Sequence, residues 1–416
     1  MTATINTMMR LVSLIGIVLV ISGCSWFSWL PWVDDADEED KSDEPAELIK
    51  FDHEVKLERV WKGNVGEGLG KKYLRLTPAI VADQIVATDG YGYVESRDRF
   101  SGKRIWRTHV DPIQKGFFGS LNFFDRSDPS FVGGGVGVGE GMAFIGTTEG
   151  EVVALDIGSG EIRWRASLGT EILATPAADD GLVFTQTIDG RLVAMEVEQG
   201  EVQWAYDNQV PVLTLRGTSS PVIENGIVYA GFANGKVIAF RGTNGEPIWE
   251  HRVVLPEGRS ELQRMVDVDS RAIVAQNQVF VAAYHGLVKS LSKRDGSPRW
   301  EQEISTYLDM AYGYGQVYVI DEEDIISAID ENTGEVMWTQ EAFRLRQLSA
   351  PIAFSNYVVF GDNEGYVHVL AQRDGRLMGR RKVDGQGVRS SMIVAESTVF
   401  VLGNSGSLQA LDIERR

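Results

Sequence analysis

A ten-residue stretch that ends in tryptophan recurs along this chain of 416 residues. It reads LDIGSGEIRW up to Trp164, FRGTNGEPIW up to Trp249 and IDENTGEVMW up to Trp338. Successive copies lie 38 to 58 residues apart, and their last positions are Trp61, Trp106, Trp164, Trp204, Trp249, Trp300, Trp338 and, in an eighth copy without tryptophan, Gly379. A period of roughly 40–45 residues with four short strands per unit is typical of a β-propeller blade.

One unit, residues 219–253, contains all the parts of such a blade. Its strand patterns are SPVIE, IVYAGF, KVIAFR and PIWEHR, and the turns between them are NG, ANG and GTNGE. Asn-Gly between alternating apolar runs is the strongest short-range signal for a β-hairpin. Each unit therefore predicts a four-stranded antiparallel sheet with a large aromatic ring on its last strand, where it can pack against its surroundings.

The two ends of the repeat region predict a closed ring. The last copy, residues 390–413, supplies three strands and no fourth, whereas the first, EVKLERVWKG, supplies a Trp61 strand with nothing before it. Together they complete one blade, which removes open sheet edges. We therefore predict an all-β fold, an eight-bladed β-propeller over residues 55–416 that is closed by N- and C-terminal strands in one blade. Seven blades is the second choice.

The N-terminus predicts export and lipid attachment. Arg10 precedes LVSLIGIVLVISGC, a short apolar run that ends in small residues before Cys24. This pattern predicts a signal peptide over residues 1–23, and it resembles the bacterial lipobox, in which the cysteine is lipidated. An ordinary signal peptide is the alternative. Ser25 rather than Asp after the cysteine favours sorting to the outer membrane. Residues 24–54 contain nine acidic residues and one lysine between Asp34 and Glu47, which predicts an extended, flexible tether.

Composition excludes several classes of protein. The formal net charge is −19, and such a chain would be repelled by nucleic-acid phosphates. Cys24 is the one cysteine, so intramolecular disulfides and cysteine-rich metal sites are impossible. No catalytic constellation, metal site or cofactor site is predicted. His285 and His368 are interpreted as structural.

One face of the ring is predicted to carry a binding surface. Strands alternate in direction, so the connections between blades share a face with the turns between the second and third strands. Two of these connections flank the same blade and contain LTLRG, residues 213–217, and DVD, residues 267–269. The candidate partner-binding residues are Leu213, Leu215, Arg216, Asp267 and Asp269, a composition found at interface hot spots. The alternative is that the leucines are buried and that Arg216 pairs with the aspartates.

A third connection, residues 111–132, contains five phenylalanines, which either fold back as a local core or are exposed.

The pattern A-x-D-x-x-T-G-x-x-x-W, seen as AIDENTGEVMW, resembles the repeat of the pyrroloquinoline-quinone (PQQ) propellers. With the lipobox, LTLRG and DVD, the layout resembles the BamB family, lipoproteins of the machinery that assembles β-barrels in the outer membrane. The resemblance implies a non-enzymatic scaffold on the periplasmic face of that membrane. It also implies that LTLRG and DVD face a periplasmic POTRA domain of BamA, the β-barrel subunit. Contact with unfolded outer-membrane proteins is left open.

Two other functions stay open at this point. The PQQ dehydrogenases resemble the chain in their repeats, but they typically need a calcium site, a catalytic carboxylate and often an adjacent cysteine pair. A propeller that binds a small ligand or a glycan is the third possibility.

Overall fold

Two-residue hairpin turns define the strands of each blade. In the unit analysed above, Asn225 and Gly226 both adopt positive φ angles, 52° and 74°, as a type I′ turn requires. The turn pairs Glu224 with Ile227 in antiparallel register. A non-glycine residue with positive φ occupies the corresponding turn of every blade: Ala82, Glu140, Asp180, Asn225, Gln276, Tyr314, Ser355 and Glu396.

The computed structural model describes residues 44–69, 74–110, 131–211, 213–215, 219–256, 259, 260, 262 and 264–416. The predicted signal peptide, Cys24, Arg216 and residues 111–130 of the phenylalanine-rich connection lie outside these residues. Phe131 and Val132, at the end of that connection, are buried.

The described strands form eight four-stranded antiparallel sheets. Blade 1 contains β2 (Ala79–Val81), β3 (Gln84–Thr88), β4 (Tyr93–Asp98) and β5 (Arg104–His109). Blade 2 contains β6 (Val132–Gly139), β7 (Met142–Thr147), β8 (Glu151–Asp156) and β9 (Ile162–Ser167). Blade 3 contains β10 (Ala177–Asp179), β11 (Leu182–Gln186), β12 (Arg191–Glu196) and β13 (Val202–Asp207). Blade 4 contains β14 (Val222–Glu224), β15 (Ile227–Phe232), β16 (Lys236–Arg241) and β17 (Pro247–Arg252).

Blade 5 contains β18 (Ile273–Ala275), β19 (Gln278–Ala282), β20 (Val288–Ser292) and β21 (Pro298–Gln302). Blade 6 contains β22 (Ala311–Gly313), β23 (Gln316–Ile320), β24 (Ile326–Asp330) and β25 (Val336–Gln340). Blade 7 contains β26 (Ile352–Phe354), β27 (Tyr357–Gly361), β28 (Tyr366–Ala371) and β29 (Leu377–Lys382). Blade 8 contains β30 (Ile393–Ala395), β31 (Thr398–Leu402), β32 (Ser407–Arg415) and β1 (Val55–Asn64). Within a blade the four strands are called a to d in this order.

The ring closes as predicted. The sheet of blade 8 has the order β1-β32-β31-β30, and β1 pairs with β32 from Val55↔Arg415 to Asn64↔Ser407. The a strands of most neighbouring blades contact one another around the axis. The prediction of eight blades, with termini joined in one of them, is confirmed.

Each repeated tryptophan joins its blade to the next one. The indole N–H donates to a backbone carbonyl in the c–d turn of the following blade over 2.7–3.1 Å. The ring also packs against the glycine of that turn. In blade 3, a Cβ on Gly200 would lie 2.5 Å from the indole of Trp164, so no larger residue fits there. The donor–acceptor pairs are Trp61–Arg99, Trp106–Ile157, Trp164–Val197, Trp204–Gly242, Trp249–Lys293, Trp300–Glu331 and Trp338–Gln372.

The tryptophans also pack inside their own blades. In six blades the indole centroid lies 5.8–6.0 Å from an aromatic ring on strand b, as in Phe144–Trp164 and Tyr229–Trp249. These strand-b rings are almost completely buried. The recurring motif therefore explains both the stacking of the blades and the core of each blade.

Residues 46–54 lie along the outer edge of blade 7, and we call them the strap. The Ala46 N–H donates to the Arg344 carbonyl over 2.9 Å, and Arg346 donates to the Ala46 carbonyl over 2.8 Å. At the other end the Glu54 N–H donates to the Met378 carbonyl, and the two Glu54 carboxylate oxygens accept hydrogen bonds from the Arg376 guanidinium. The predicted tether, residues 24–54, therefore includes nine residues that the structure places against the ring.

Candidate functional site

The connections between blades and the b–c turns share one face of the ring, here called the d–a face. A cavity of about 470 Å³ opens there on the axis, between the a strands. Residues from most of the blade connections converge on it. Its charged and aromatic lining residues are Arg75, Asp269, Tyr284, Tyr307, Asp309 and Glu322.

The described part of LTLRG, residues 213–215, extends from the outer surface of this face to the cavity. The Leu213 side chain is 44% exposed, whereas Leu215 is half-buried and forms part of the cavity wall. The two leucines are therefore not buried together under the blade, which was the alternative interpretation. Arg216 lies outside the described residues.

The DVD segment contacts LTLRG, as expected for two connections that flank blade 4. The Leu215 N–H donates to Asp267 Oδ2 over 3.4 Å. The Asp267 side chain is only 1% exposed, and its backbone carbonyl accepts the Tyr284 N–H over 2.8 Å. Asp267 thus joins the connections on both sides of blade 4 to the b–c turn of blade 5. Its burial means that it positions the loop and does not itself offer a contact surface.

The two aspartates of DVD share a proton. Burial, followed by the nearby Asp269 carboxylate, raises the pKa of Asp267 well above its usual range. Burial also raises the pKa of Asp269, and a hydrogen bond with the Asp267 carboxyl group and the charge of Arg75 partly offset that rise. The pair therefore holds on to a proton to higher pH than two ordinary carboxyl groups would.

Both histidines that were interpreted as structural have internal partners. His368 is buried with Asp362 and Arg346; its Nε2 lies 2.9 Å from Asp362 Oδ2, and Arg346 donates to the same oxygen over 2.8 Å. His285 Nδ1 lies 3.2 Å from the Met265 carbonyl oxygen. The described residues contain no group of three or more potential ligands that could hold a metal ion. Over the same residues, no helix is long and apolar enough to cross a membrane.

Sequence reasoning missed the cavity. Its residues are far apart in the chain, and only the ring brings them together. One signal was present, because Thr77-Pro78, Thr175-Pro176 and Ser220-Pro221 recur just before strand a, and Thr77, Thr175 and Ser220 all line the cavity. Arg75, Tyr284 and Tyr307 had no such signal.

Comparison with known proteins decides the family. The family model described as outer membrane protein assembly factor BamB matches residues 90–340 and 290–416. A curated relative of that name from Pseudomonas aeruginosa is 38% identical over 369 residues, which is 89% of this chain and 92% of the relative. The chain belongs to the BamB family. The crystal structure of BamB from Moraxella catarrhalis has a TM-score of 0.75 at 23% identity, and the match covers 86% of this chain and 100% of that one.

The BamB fold is shared with enzymes. Quinohemoprotein alcohol dehydrogenase from Comamonas testosteroni matches with a TM-score of 0.67 at 14% identity, over 86% of this chain and 76% of the enzyme. At that identity the likeness concerns the fold alone. The curated relatives that are more than 30% identical to this chain are named as assembly factors, not as enzymes.

Proposed function

We propose that this BamB-family chain is a non-enzymatic scaffold of the machinery that assembles β-barrel proteins in the outer membrane. It acts at the periplasmic side of that membrane, where a lipid on Cys24 holds it after residues 1–23 are removed. Its partner is the POTRA region of a BamA-like barrel protein. The names of the relatives support the role in assembly, and the sequence pattern before Cys24 supports the anchor.

The observation that carries the partner assignment is the hydrogen bond from Leu215 to Asp267, with Leu213 exposed beside it. A hydrogen bond to a buried carboxyl group restricts the backbone of the loop at Leu215. A loop whose backbone is already restricted loses less conformational entropy when the partner binds. Leu213 and Arg216 are the proposed contact residues, Leu215 and Asp269 continue the surface into the cavity, and Asp267 positions the loop.

The test is binding of a soluble POTRA-domain fragment to Leu213→Ala. Truncation of an interface hot spot costs about 2 kcal/mol or more, which is a loss of affinity of more than about tenfold. Phe100→Ala is the matched control, because Phe100 is 54% exposed in the c–d turn of blade 1, on the opposite face. Equal binding by both variants and the parent would refute the assignment.

The enzymatic alternative has its own test. The protein is mixed with pyrroloquinoline quinone and calcium, and quinone absorbance and dye reduction are measured. We expect neither a retained quinone nor dye reduction, and a tight, active complex would overturn the scaffold proposal.

A further inference from the structure

The axial cavity is continuous with the proposed partner surface. Leu215 lies two residues after the exposed Leu213 and forms part of the cavity wall. The volume of about 470 Å³ lies in the range of pockets that enclose ligands, roughly 300–1,000 Å³. A chain segment that crosses Leu213 could therefore place a side chain in the cavity.

The cavity is acidic. The lining contains the carboxyl groups of Asp269, Asp309 and Glu322, and among the described lining residues Arg75 is the one basic group. Arg75 already donates to the Tyr307 carbonyl over 2.9 Å, and its guanidinium lies 4.9 Å from the centroid of the Tyr307 ring. One arginine cannot balance three carboxylates, so the cavity attracts cations.

One carboxylate oxygen of the cavity lacks an amide, guanidinium or alcohol donor, whereas two others have one. The Oδ1 atom of Asp269 is shielded from solvent and accepts no hydrogen bond from an amide, a guanidinium or a Ser, Thr or Tyr hydroxyl of the described residues. Asp309 uses Oδ1 to accept the Arg271 N–H over 2.7 Å, and Glu322 uses Oε1 to accept the Ser305 hydroxyl. Burial of an acceptor without such a donor has a free-energy cost. A cationic donor inside the cavity would remove that cost.

Aromatic rings complete the site. Tyr284 and Tyr307 both line the cavity, and their ring centroids lie 6.4 Å apart in an edge-to-face arrangement. The faces of such rings attract ammonium and guanidinium groups. Carboxylates and tyrosine rings together are suited to a lysine or arginine side chain.

We propose that the axial cavity receives a lysine or arginine side chain from an extended segment of the POTRA-domain partner. This inference rests on the proposed function and deepens it, because it adds an electrostatic site to the apolar contact of Leu213. The partner's cation would satisfy Asp269 and lie between Asp309, Glu322 and the two tyrosines.

The test compares the affinity of four proteins for a soluble POTRA-domain fragment at low ionic strength. These are the parent, the cavity variant Asp309→Asn/Glu322→Gln, the control variant Glu201→Gln/Glu335→Gln, and Leu213→Ala. Both substitutions of the cavity variant keep the acceptor oxygens that bind Arg271 and Ser305. The control variant removes the same two charges from exposed c–d turns on the opposite face.

We expect the cavity variant to bind at least about tenfold more weakly, because it loses charge-assisted contacts, and the control variant to bind like the parent. The difference in affinity between the parent and the cavity variant should become smaller in high salt, because salt screens charges at the mouth of the cavity. If melting shows that the cavity variant is unfolded, Glu322→Gln alone takes its place and is expected to weaken binding in the same direction.

The outcomes separate the two proposals. A cavity variant that binds like the parent, while Leu213→Ala binds weakly, overturns the cavity proposal and leaves the proposed function intact. Equal weakening by the cavity and control variants also overturns it, because the effect is then one of net charge. A parent that does not bind the fragment overturns both.

Discussion

Gly379 and Val55 are in direct contact at the point where the ring closes. Gly379 pairs with Val369 in the register that tryptophan holds in the other blades, and a Cβ there would lie 2.7 Å from Val55 Cγ2. Blade 8 has no c–d turn, because its strands c and d come from opposite ends of the chain. A tryptophan at position 379 would therefore have no turn carbonyl or turn glycine to meet. The eighth copy lacks tryptophan because β1 occupies that space.

Gly379→Trp, which restores the repeat motif, should therefore destabilise the ring. The indole would displace β1, and overpacking of this kind costs about 1–3 kcal/mol or more. Thermal melting measures the effect. Gly385→Ala is the control, because a Cβ there meets nothing within 4 Å and should leave the melting temperature unchanged. A Gly379→Trp protein as stable as the parent would show that β1 does not hold this position.

Deletion of residues 55–62 should have a larger effect. It removes most of β1, which pairs with β32 over its whole length, and leaves the edge of β32 open. Open edges promote aggregation, so we expect a large drop in melting temperature and loss of monomer in gel filtration. An unchanged melting temperature would mean that the ring closes without β1.

The shared proton of Asp267 and Asp269 predicts a pH dependence of stability. In the unfolded chain both groups have pKa values near 4, and in the fold burial raises the pKa of both. A raised carboxyl pKa means that the folded state binds more protons than the unfolded chain. The contribution of the pair to stability is therefore fully present below pH 4 and is lost as the pH rises through the pKa values of the folded state.

Asp267→Asn cannot lose that proton, and its amide can still accept from Leu215 and donate to Asp269. We expect the variant and the parent to unfold alike near pH 4. Above pH 5, the free energy of unfolding of the variant should rise relative to that of the parent by up to about 1.4 kcal/mol per pH unit. Urea unfolding from pH 4 to pH 8 measures this difference. A constant difference across that range would contradict the shared proton.

Asp156→Asn serves as a control, because the contribution of Asp156 to stability should depend on pH in the opposite direction. The side chain of Arg163, with Ser159, lowers the pKa of Asp156 to about 2, so its contribution is present above pH 4 and lost as pH falls towards 2. This variant should be less stable than the parent at neutral pH, and the difference should fade in acid.

Cys24→Ser tests the anchor. The variant should fold with the melting temperature of the parent but leave the outer-membrane fraction, because the thiol that would carry the lipid is gone. Cells without the partner proteins are used, since protein contacts could otherwise retain the variant. If it still fractionates with outer membranes in those cells, Cys24 is not the anchor.

The sequence predicted the blades because their signals are local. Asn225-Gly226 specifies a turn by backbone conformation alone, and the spacing from Asp330 through Gly334 to Trp338 lies within one turn and the start of a strand. The role of Gly379 could not be predicted in this way, because it depends on Val55, which lies more than 300 residues away in the chain.

The candidate site was predicted only in part for the same reason. The contact of LTLRG with DVD followed from topology. The burial of Asp267 did not, because aspartate is almost never fully buried unless it is paired, and its partners Leu215, Tyr284 and Asp269 come from three different loops. The cavity requires side chains from most of the ring, and no single repeat contains its pattern.

The most direct test of the scaffold proposal is the affinity of Arg216→Glu for a soluble POTRA-domain fragment, with thermal melting of the same samples. Arg216 directly follows Leu213 to Leu215 in the chain, and a charge reversal would replace attraction to the partner by repulsion. We predict that binding weakens by more than about tenfold and that the melting temperature stays within error of the parent. Normal binding by Arg216→Glu, or a much earlier melting transition, would contradict the account.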